Sequence, residues 1–252
     1  MTVTEFQDVE KDHWDQNWSG VISQKPLSCL NIVNRDIDQL FRRELAAYAA
    51  IDVVEIGGAP GKMLLHMERN FPTRRCVALD YSDVGCRSAE AYLQANNSSA
   101  TIMCCDVLEG TPAGLDADLV YSMGVVEHFS DPTAMVEAHL RMVRPGGKAI
   151  ITLPNFSGLN ASLQRRLDPE NLAIHNLATM DPAYWVQQMN KWPEFRLRAF
   201  RTGRPSPWMF SLLKYGKLGR FVSYAINFAA FAVPRSARIL PSLVVAIYER
   251  RD

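Results

Sequence analysis

An acid, a glycine turn and two further acids stand at intervals that suit a nucleoside. The stretch "VVEIGGAPGK", Val53 to Lys62, leads an apolar run through Glu55 into Gly57, Gly58, Ala59, Pro60 and Gly61. Asp80 follows in "VALDYS" and Asp106 in "CCDV", and "YSMGVVEHF" then brings Glu127 and His128. Glycine turns after a strand commonly hold nucleotides, because residues without Cβ let backbone amides approach a ligand. Two phosphate-binding turns fail on their residues. In a P-loop register, Ile56 stands in place of the first glycine and Met63 in place of the magnesium-binding hydroxyl. In a dinucleotide fingerprint, Ala59 and Lys62 occupy two of the three glycine positions.

A nucleoside without phosphate remains. S-adenosylmethionine (SAM) needs close backbone approach at its methionine end, an acid for two ribose hydroxyls and an acid near the adenine amino group. Glu55, Gly57 and Gly61 supply the turn. Asp80 stands about 20–25 residues beyond it, the interval of ribose-binding acids in βαβ units, and one carboxylate accepts from both hydroxyls. Asp106 takes the equivalent place one strand later, and "YSMGVVEHF" follows where the methyl donor would sit. In open α/β sheets ligands bind beyond the carboxyl ends of the strands, the edge at which all these residues fall.

Such residues need a parallel sheet to bring them together, and the chain has its rhythm. "DVVEIGG", "RCVALDYS", "ATIMCCDV", "ADLVYSMGV" and "KAIITLPN" read as strands, and "GKMLLHMERNF", "SDVGCRSAEAYLQAN" and "DPTAMVEAHLRMV" as intervening helices. "RPGG" reads as the turn before the fifth strand. Ahead of them "NRDIDQLFRRELAAYAA" has Ile37, Leu40, Phe41, Leu45 and Tyr48 at helical spacing, with Asn34 or Asp36 as its cap. After Asn155 the alternation loosens into a loop-and-helix insertion, a helix from "DPAYWVQQMN", a strand "EFRLRAF", a second insertion over 201–240 and a last strand "LPSLVVAIYER".

In "VEIGGAPG", "ALDYS", "CCDV", "DLVYSMGVVEHF" and "VRPGGKAIITLPN" the chain resembles the class I SAM-dependent methyltransferases. The resemblance implies a Rossmann-like seven-stranded, mostly parallel sheet with helices on both faces. It also implies an antiparallel last strand inserted between the fifth and sixth, with helical lid insertions. It divides the chain into an N-terminal helical lid (1–50), a SAM-binding core (51–155) and acceptor-pocket insertions with the closing strands (156–252). By position, Glu55, Gly57, Gly58, Ala59 and Gly61 would line the methionine end, and Asp80 and Tyr81 would hold ribose and adenine. Asp106 and Val107 would flank the adenine, and Ser122, Met123 and Gly124 the sulfonium. The product would be S-adenosylhomocysteine. Ala59 departs from the glycine common in the family, a change a negative φ absorbs.

A hydroxyl acceptor also needs its proton taken. His128 lies beside the expected methyl donor and His175, in "LAIHNLATM", in the insertion that would build the acceptor pocket. They are the candidate bases. His13, with Trp14 and Trp18, is a candidate lid residue. His66 and His139 read as packing or surface residues within helices, Glu127 as a helix-start carboxylate, and Tyr121 and Cys105 as core. No chelating spacing is present, so no metal is expected. "SMGV" replaces the Asp/Asn-Pro-Pro-aromatic sequence of nucleobase amino-methyltransferases.

The acceptor class is approached through charge. The 252 residues carry 27 basic and 27 acidic groups, so no global field recruits nucleic acid. The five cysteines are odd in number and unclustered, which reads as free thiols in a reducing compartment. The polar N-terminus is no secretory signal, and no apolar run reaches the roughly 20 residues of a membrane span. A cytoplasmic location is expected. From Phe195 to Leu240, however, there are Arg196, Arg198, Arg201, Arg204, Lys214, Lys217, Arg220, Arg235 and Arg238 and no acid. Trp208, Phe210, Tyr215, Phe221, Tyr224, Phe228 and Phe231 are interleaved. The segment reads as a packed lid, as a surface for an anionic or membrane-held acceptor with peripheral contact through 205–240, or, against the neutral whole, as an RNA contact. "YSMGVVEHFSDP", "ITLPNFSGLNASLQRRLD" and "HNLATMDP" resemble methyltransferases of bacterial polysaccharide and lipopolysaccharide assembly. That implies O-methylation of a nucleotide- or lipid-linked sugar. "VVEHF" and "RPGG" also resemble quinone and natural-product methyltransferases, the second reading; a non-catalytic SAM-binding subunit is a third.

Overall fold

The computed structural model describes residues 8–20, 25–235 and 239–252. Arg238 and the Trp208 side chain, both in the basic aromatic segment, lie outside the described structure. Seven strands form one sheet: β1 (Ile51–Ile56), β2 (Thr73–Asp80), β3 (Thr101–Cys104), β4 (Ala117–Met123), β5 (Val143–Pro154), β6 (Phe195–Thr202) and β7 (Leu243–Arg250). Their order is β3-β2-β1-β4-β5-β7-β6, with β7 antiparallel to both neighbours and the other pairs parallel. This is the expected arrangement, including the insertion of the last strand between the fifth and sixth. Val53, Val54, Leu119, Val120, Val245 and Ala246 are fully buried, because helices cover both faces of the sheet.

The crossover helices follow the apolar pattern. They are α3 (Lys62–Asn70), α4 (Asp83–Ala95) and α5 (Thr133–Arg141). The N-terminal segment forms α1 (Lys11–Trp18) and α2 (Ile32–Glu44). The insertions hold α6 (Gly158–Leu167), α7 (Pro169–Ala173), α8 (Pro182–Gln187) and α9 (Gly216–Phe231).

Two local expectations are corrected. The Asn31 side chain, not Asn34 or Asp36, caps α2 by accepting from the Val33 amide. Asp36 is inside the helix and buried, because it meets two guanidinium groups. Arg204 donates to it at 2.7 Å (Nη2) and 3.1 Å (Nε), and Arg235 Nε lies 3.4 Å away. Second, "RPGG" does not precede β5 but lies within it. Pairing with β4 jumps from Ala117–Val143 to Leu119–Lys148 across the irregularity. Gly146 adopts φ +72°, and a Cβ on Gly147 would stand 2.9 Å from the carbonyl oxygens of Arg144 and Asp118. Glycine thus lets the strand bulge without ending.

The Asp36–Arg204 pair is buried on both sides. Removing one partner strands a buried charge, which costs about 3–5 kcal/mol. Asp36→Ala is therefore expected to lower unfolding free energy by about that amount, measured by urea denaturation of the full chain; a change within ordinary surface-mutation scatter would contradict it.

Candidate active site

A cavity of about 1390 Å³ opens at the carboxyl edge of the sheet, roofed by α1, α7 and α9. Gly57 and Ala59, Asp80 and Tyr81, Asp106 and Val107, and Met123 and Gly124 all line it. Four strand ends thus deliver the expected residues to one space. Glu55, Gly58, Gly61 and Ser122 do not line it, and each has a packing reason. The Glu55 carboxyl is buried within the domain, beside the Tyr121 hydroxyl and the Leu64 amide in the first turn of α3. A Cβ on Gly58 would stand 2.3 Å from the Ala78 Cβ, so only glycine lets the turn lie on β2. Gly61 starts α3 at φ +84°. Ser122 points into the core, and its carbonyl accepts from Thr152 Oγ1 at 3.1 Å.

Asp80 sits between two loops. Its Oδ2 accepts from the Ala59 amide and its Oδ1 from the Ser82 amide, both at 3.0 Å. Each carboxylate oxygen has a further lone pair for a ligand hydroxyl. Burial raises the carboxyl pKa, an effect the amides of Ser82, Ala59 and Tyr81 oppose. Asp106 accepts from the Leu108 amide at 2.8 Å. Burial pushes the Tyr81 hydroxyl up to about 12, so it stays a neutral donor. Two acids, an aromatic ring and backbone amides on one wall are a donor and acceptor set that fits a nucleoside.

Past β4 the cavity has a second chemistry. Glu127 does not start an α-helix; it sits in a single 3-10 turn, Val126–His128, that rotates its carboxyl inward. The side chain is fully buried, and neither carboxyl oxygen has a hydrogen-bond partner among the described residues. Burial pushes its pKa up to about 8. His128 Nδ1 lies 2.7 Å from the Ile174 carbonyl, and His175 Nδ1 lies 2.6 Å from the Asn171 carbonyl. A carbonyl only accepts, so Nδ1 carries the proton in both rings and Nε2 is left as a base. Burial pulls the two imidazoles down to about 3 and about 4 respectively. Their ring centroids are 4.7 Å apart, with the Trp14 ring edge-on to His128 at 4.8 Å and Phe156 edge-on to His175 at 4.9 Å.

The structure brings both candidate bases together and adds Glu127, which the sequence pattern assigned elsewhere. Atoms of the three groups suited to metal ligation lie within 4.8 Å of one another. No spacing signalled this, since His175 comes from a distant insertion. A second such grouping, Cys29, Asp38 and His66, has its carboxylate engaged by Arg42 and His66. His13 and Trp18 line the cavity with Trp14. Cys105, expected in the core, lines it too, because β3 stops at Cys104. Tyr121 is in the core, and His139 is buried with its Nδ1 on the Met135 carbonyl at 2.7 Å. Of the basic segment, Arg198, Arg201, Arg204, Lys214 and Arg235 pair with Glu44, Asp181, Asp36, Asp168 and Asp36.

A protein family described as a methyltransferase domain matches residues 31–208. Trans-aconitate 2-methyltransferase of Azoarcus sp. (strain BH72) is 27% identical over 178 residues, covering 68% of this chain and 60% of that protein. Malonyl-[acyl-carrier protein] O-methyltransferase of Hahella chejuensis is 29% identical over 100 residues, 39% of this chain and 35% of that protein. The chain thus spans less than two thirds of either curated relative. Among solved structures, a Haemonchus contortus phosphoethanolamine N-methyltransferase with phosphomonomethylethanolamine and S-adenosylhomocysteine superposes with a TM-score of 0.58 at 15% identity, covering 87% of this chain and 53% of that one.

Two outcomes test this geometry. Gly58→Ala forces a methyl against Ala78, and overpacking of this kind costs about 1–3 kcal/mol; thermal denaturation of the variant should show the loss. Glu127 holds its proton up to about pH 8 in the fold, against an ordinary carboxyl value of 4.5. The unfolded chain ionises first, so stability is lost as pH rises between these values, by about 1.4 kcal/mol per unit. Glu127→Gln should remove that slope, gaining on the native chain from about pH 5 to about pH 8. A difference independent of pH in urea titrations would mean that Glu127 is ionised in the fold.

Proposed function

The chain belongs to the methyltransferase-domain family, and we propose that it moves a methyl group from SAM to a hydroxyl of a glycan or glycolipid precursor. The observation that carries this reading is the convergence of Asp80, Asp106, Gly124 and the Glu127–His128–His175 group on one cavity. When bound, SAM supplies an electrophilic methyl group on a sulfonium. Asp80 would accept from the ribose hydroxyls, Tyr81 and Val107 would enclose the adenine and Asp106 would face its amino group. Met123 and Gly124 would border the sulfonium.

On the acceptor side, Nε2 of His128 or His175 would take the hydroxyl proton as the oxygen bonds to the methyl carbon; the methyl–sulfur bond would break with its electron pair going to sulfur, leaving S-adenosylhomocysteine. Burial keeps both rings neutral throughout the neutral range; the same burial disfavours the imidazolium, so proton uptake has to be concerted with attack on the methyl carbon. Glu127, held protonated by its burial, offers the acceptor a hydrogen-bond donor. Trp14 and Phe156 shield the imidazoles from water, which favours alignment of the reacting groups. A cavity that extends past Gly124 to His175 and α9 supports an enzyme over a subunit that only binds SAM. Lys214, Arg220 and Tyr224 along its rim suit a sugar bearing phosphate, since aromatics stack on sugar rings and cations hold phosphate.

A small acidic or phenolic acceptor is the second reading. It is favoured by the names of the two curated relatives, neither of which is a glycan enzyme.

Incubation with methyl-labelled SAM and fractionated lipid-linked sugars, nucleotide-linked sugars and small acids reads out the acceptor directly. Label in the sugar fractions is expected; label confined to small acids moves the assignment to the second reading. His128→Ala and His175→Ala should lower turnover by about 10²–10⁴ for the residue that is the base, with S-adenosylhomocysteine affinity unchanged by calorimetry. Full rates in both variants would rule out a histidine base.

A further inference from the structure

Helix α9 presents three different faces. At about 100° per residue, Leu218, Phe221, Val222, Ala225, Phe228 and Ala229 fall on one side. Leu218 is 72%, Phe221 70% and Phe228 83% exposed. The opposite side faces the cavity through Ser223 and Asn227. Between the two runs a line of Lys217, Arg220 and Tyr224, of which Arg220 and Tyr224 also line the cavity rim. Among the described residues neither Lys217 nor Arg220 forms an ion pair.

Among the described residues, the polar ties of the helix lie along its cavity side and its ends, and Gly219 and Ala230 are buried against the domain. Asn227 accepts from the Ile32 amide and donates to the Leu30 carbonyl, both at 2.8 Å. Tyr215, just before α9, donates to the Leu167 carbonyl at 2.8 Å, and Lys214 pairs with Asp168 at 2.9 Å. Arg35 and Arg204 stack on Phe231 at 5.3 and 5.6 Å. These ties hold the aromatic side outward. A contiguous row of leucine and phenylalanine in water is a surface built to be covered. No helix among the described residues is long and apolar enough to cross a membrane.

We propose that this face of α9 docks on an anionic lipid surface, with the helix lying in the headgroup plane. Charge complementarity selects this occupant. The apolar row is bordered by Lys217 and Arg220, the two α9 cations without an acidic partner among the described residues, with Tyr224 beside them. Apolar side chains below, with lysine, arginine and tyrosine at the margin, is the order that a headgroup boundary favours. The same line of residues forms the cavity rim, so docking would bring the opening to the bilayer, where a lipid-linked acceptor stands. That consequence rests on the reading of the cavity as a methyl-transfer site; the docking itself does not.

The test is co-sedimentation of the full chain with phosphatidylglycerol-containing vesicles and with pure phosphatidylcholine vesicles, without SAM or acceptor. Binding to the anionic vesicles is expected, falling with added salt. Phe221→Ser/Phe228→Ser should weaken it about tenfold or more, with an unchanged melting temperature, because both rings are exposed. Lys217→Gln/Arg220→Gln should weaken anionic binding about tenfold or more while leaving phosphatidylcholine binding as it was. Equal binding by native chain and double-serine variant would overturn the proposal. So would absence of vesicle binding together with a dimer, seen by analytical ultracentrifugation, that the double-serine variant loses; that result assigns the face to a second copy. Vesicle binding by a chain that labels none of the acceptor fractions in the methyl-transfer assay would count against the proposed activity and leave the docking face standing.

Discussion

The carboxylate of Asp80 is the point on which the cofactor side of the site turns. It is buried at the end of β2 and accepts from one amide of the glycine turn and one amide of its own loop. The two loops that follow β1 and β2 are therefore set relative to each other by a single acid. Its surroundings allow nothing larger at the turn, since Gly58 rests on Ala78 and a Cβ on Gly57 would stand 2.4 Å from Val125 Cγ2. Val125 belongs to the stretch that leads to Glu127 and His128. Close packing thus links the cofactor wall to the acceptor wall.

That dependence explains why the core was legible in the sequence. Strands buried on both faces read as continuous apolar runs, and glycines that permit close approach cannot be disguised. Acids at successive strand ends reach the same edge in any parallel sheet. The same reasoning overextended itself at Glu55 and Ser122. A strand alternates its side chains, so a residue one position from a site wall points into the core. Glu55 became part of the α3 helix start and Ser122 part of the sheet interior.

What lay outside the reach of sequence patterns was the tertiary meeting of single residues. The pairing of Asp36 with Arg204 and Arg235 joins α2 to the segments after β6 and α9, and no local periodicity announces it. It also accounts for much of the apparent basic surplus after Phe195. Five of those cations are absorbed by acids from earlier in the chain, so a charge run read in isolation overstates the field it leaves. Among the described residues, the cations that remain are Arg196 on β6 and, on α9, Lys217 and Arg220 beside exposed aromatics.

Glu127 shows the same limit from the chemical side. Placed at the start of a helix it would be a solvated carboxylate that favours the helix dipole. A 3-10 turn instead carries it under the insertion, where desolvation outweighs everything that might keep it charged. The insertion containing α6 and α7 is therefore more than a cover. By bringing His175 against His128 it removes water from three ionisable groups at once and leaves all of them neutral at neutral pH. A neutral pocket does not repel a cationic donor, but it disfavours the imidazolium, so the hydroxyl proton has to move as the donor's positive charge is lost. The fold achieves this with backbone carbonyls of Ile174 and Asn171, each fixing one Nδ1–H and aiming one bare Nε2 inward. The acceptor chemistry is set by the geometry of the insertion more than by the presence of histidine itself.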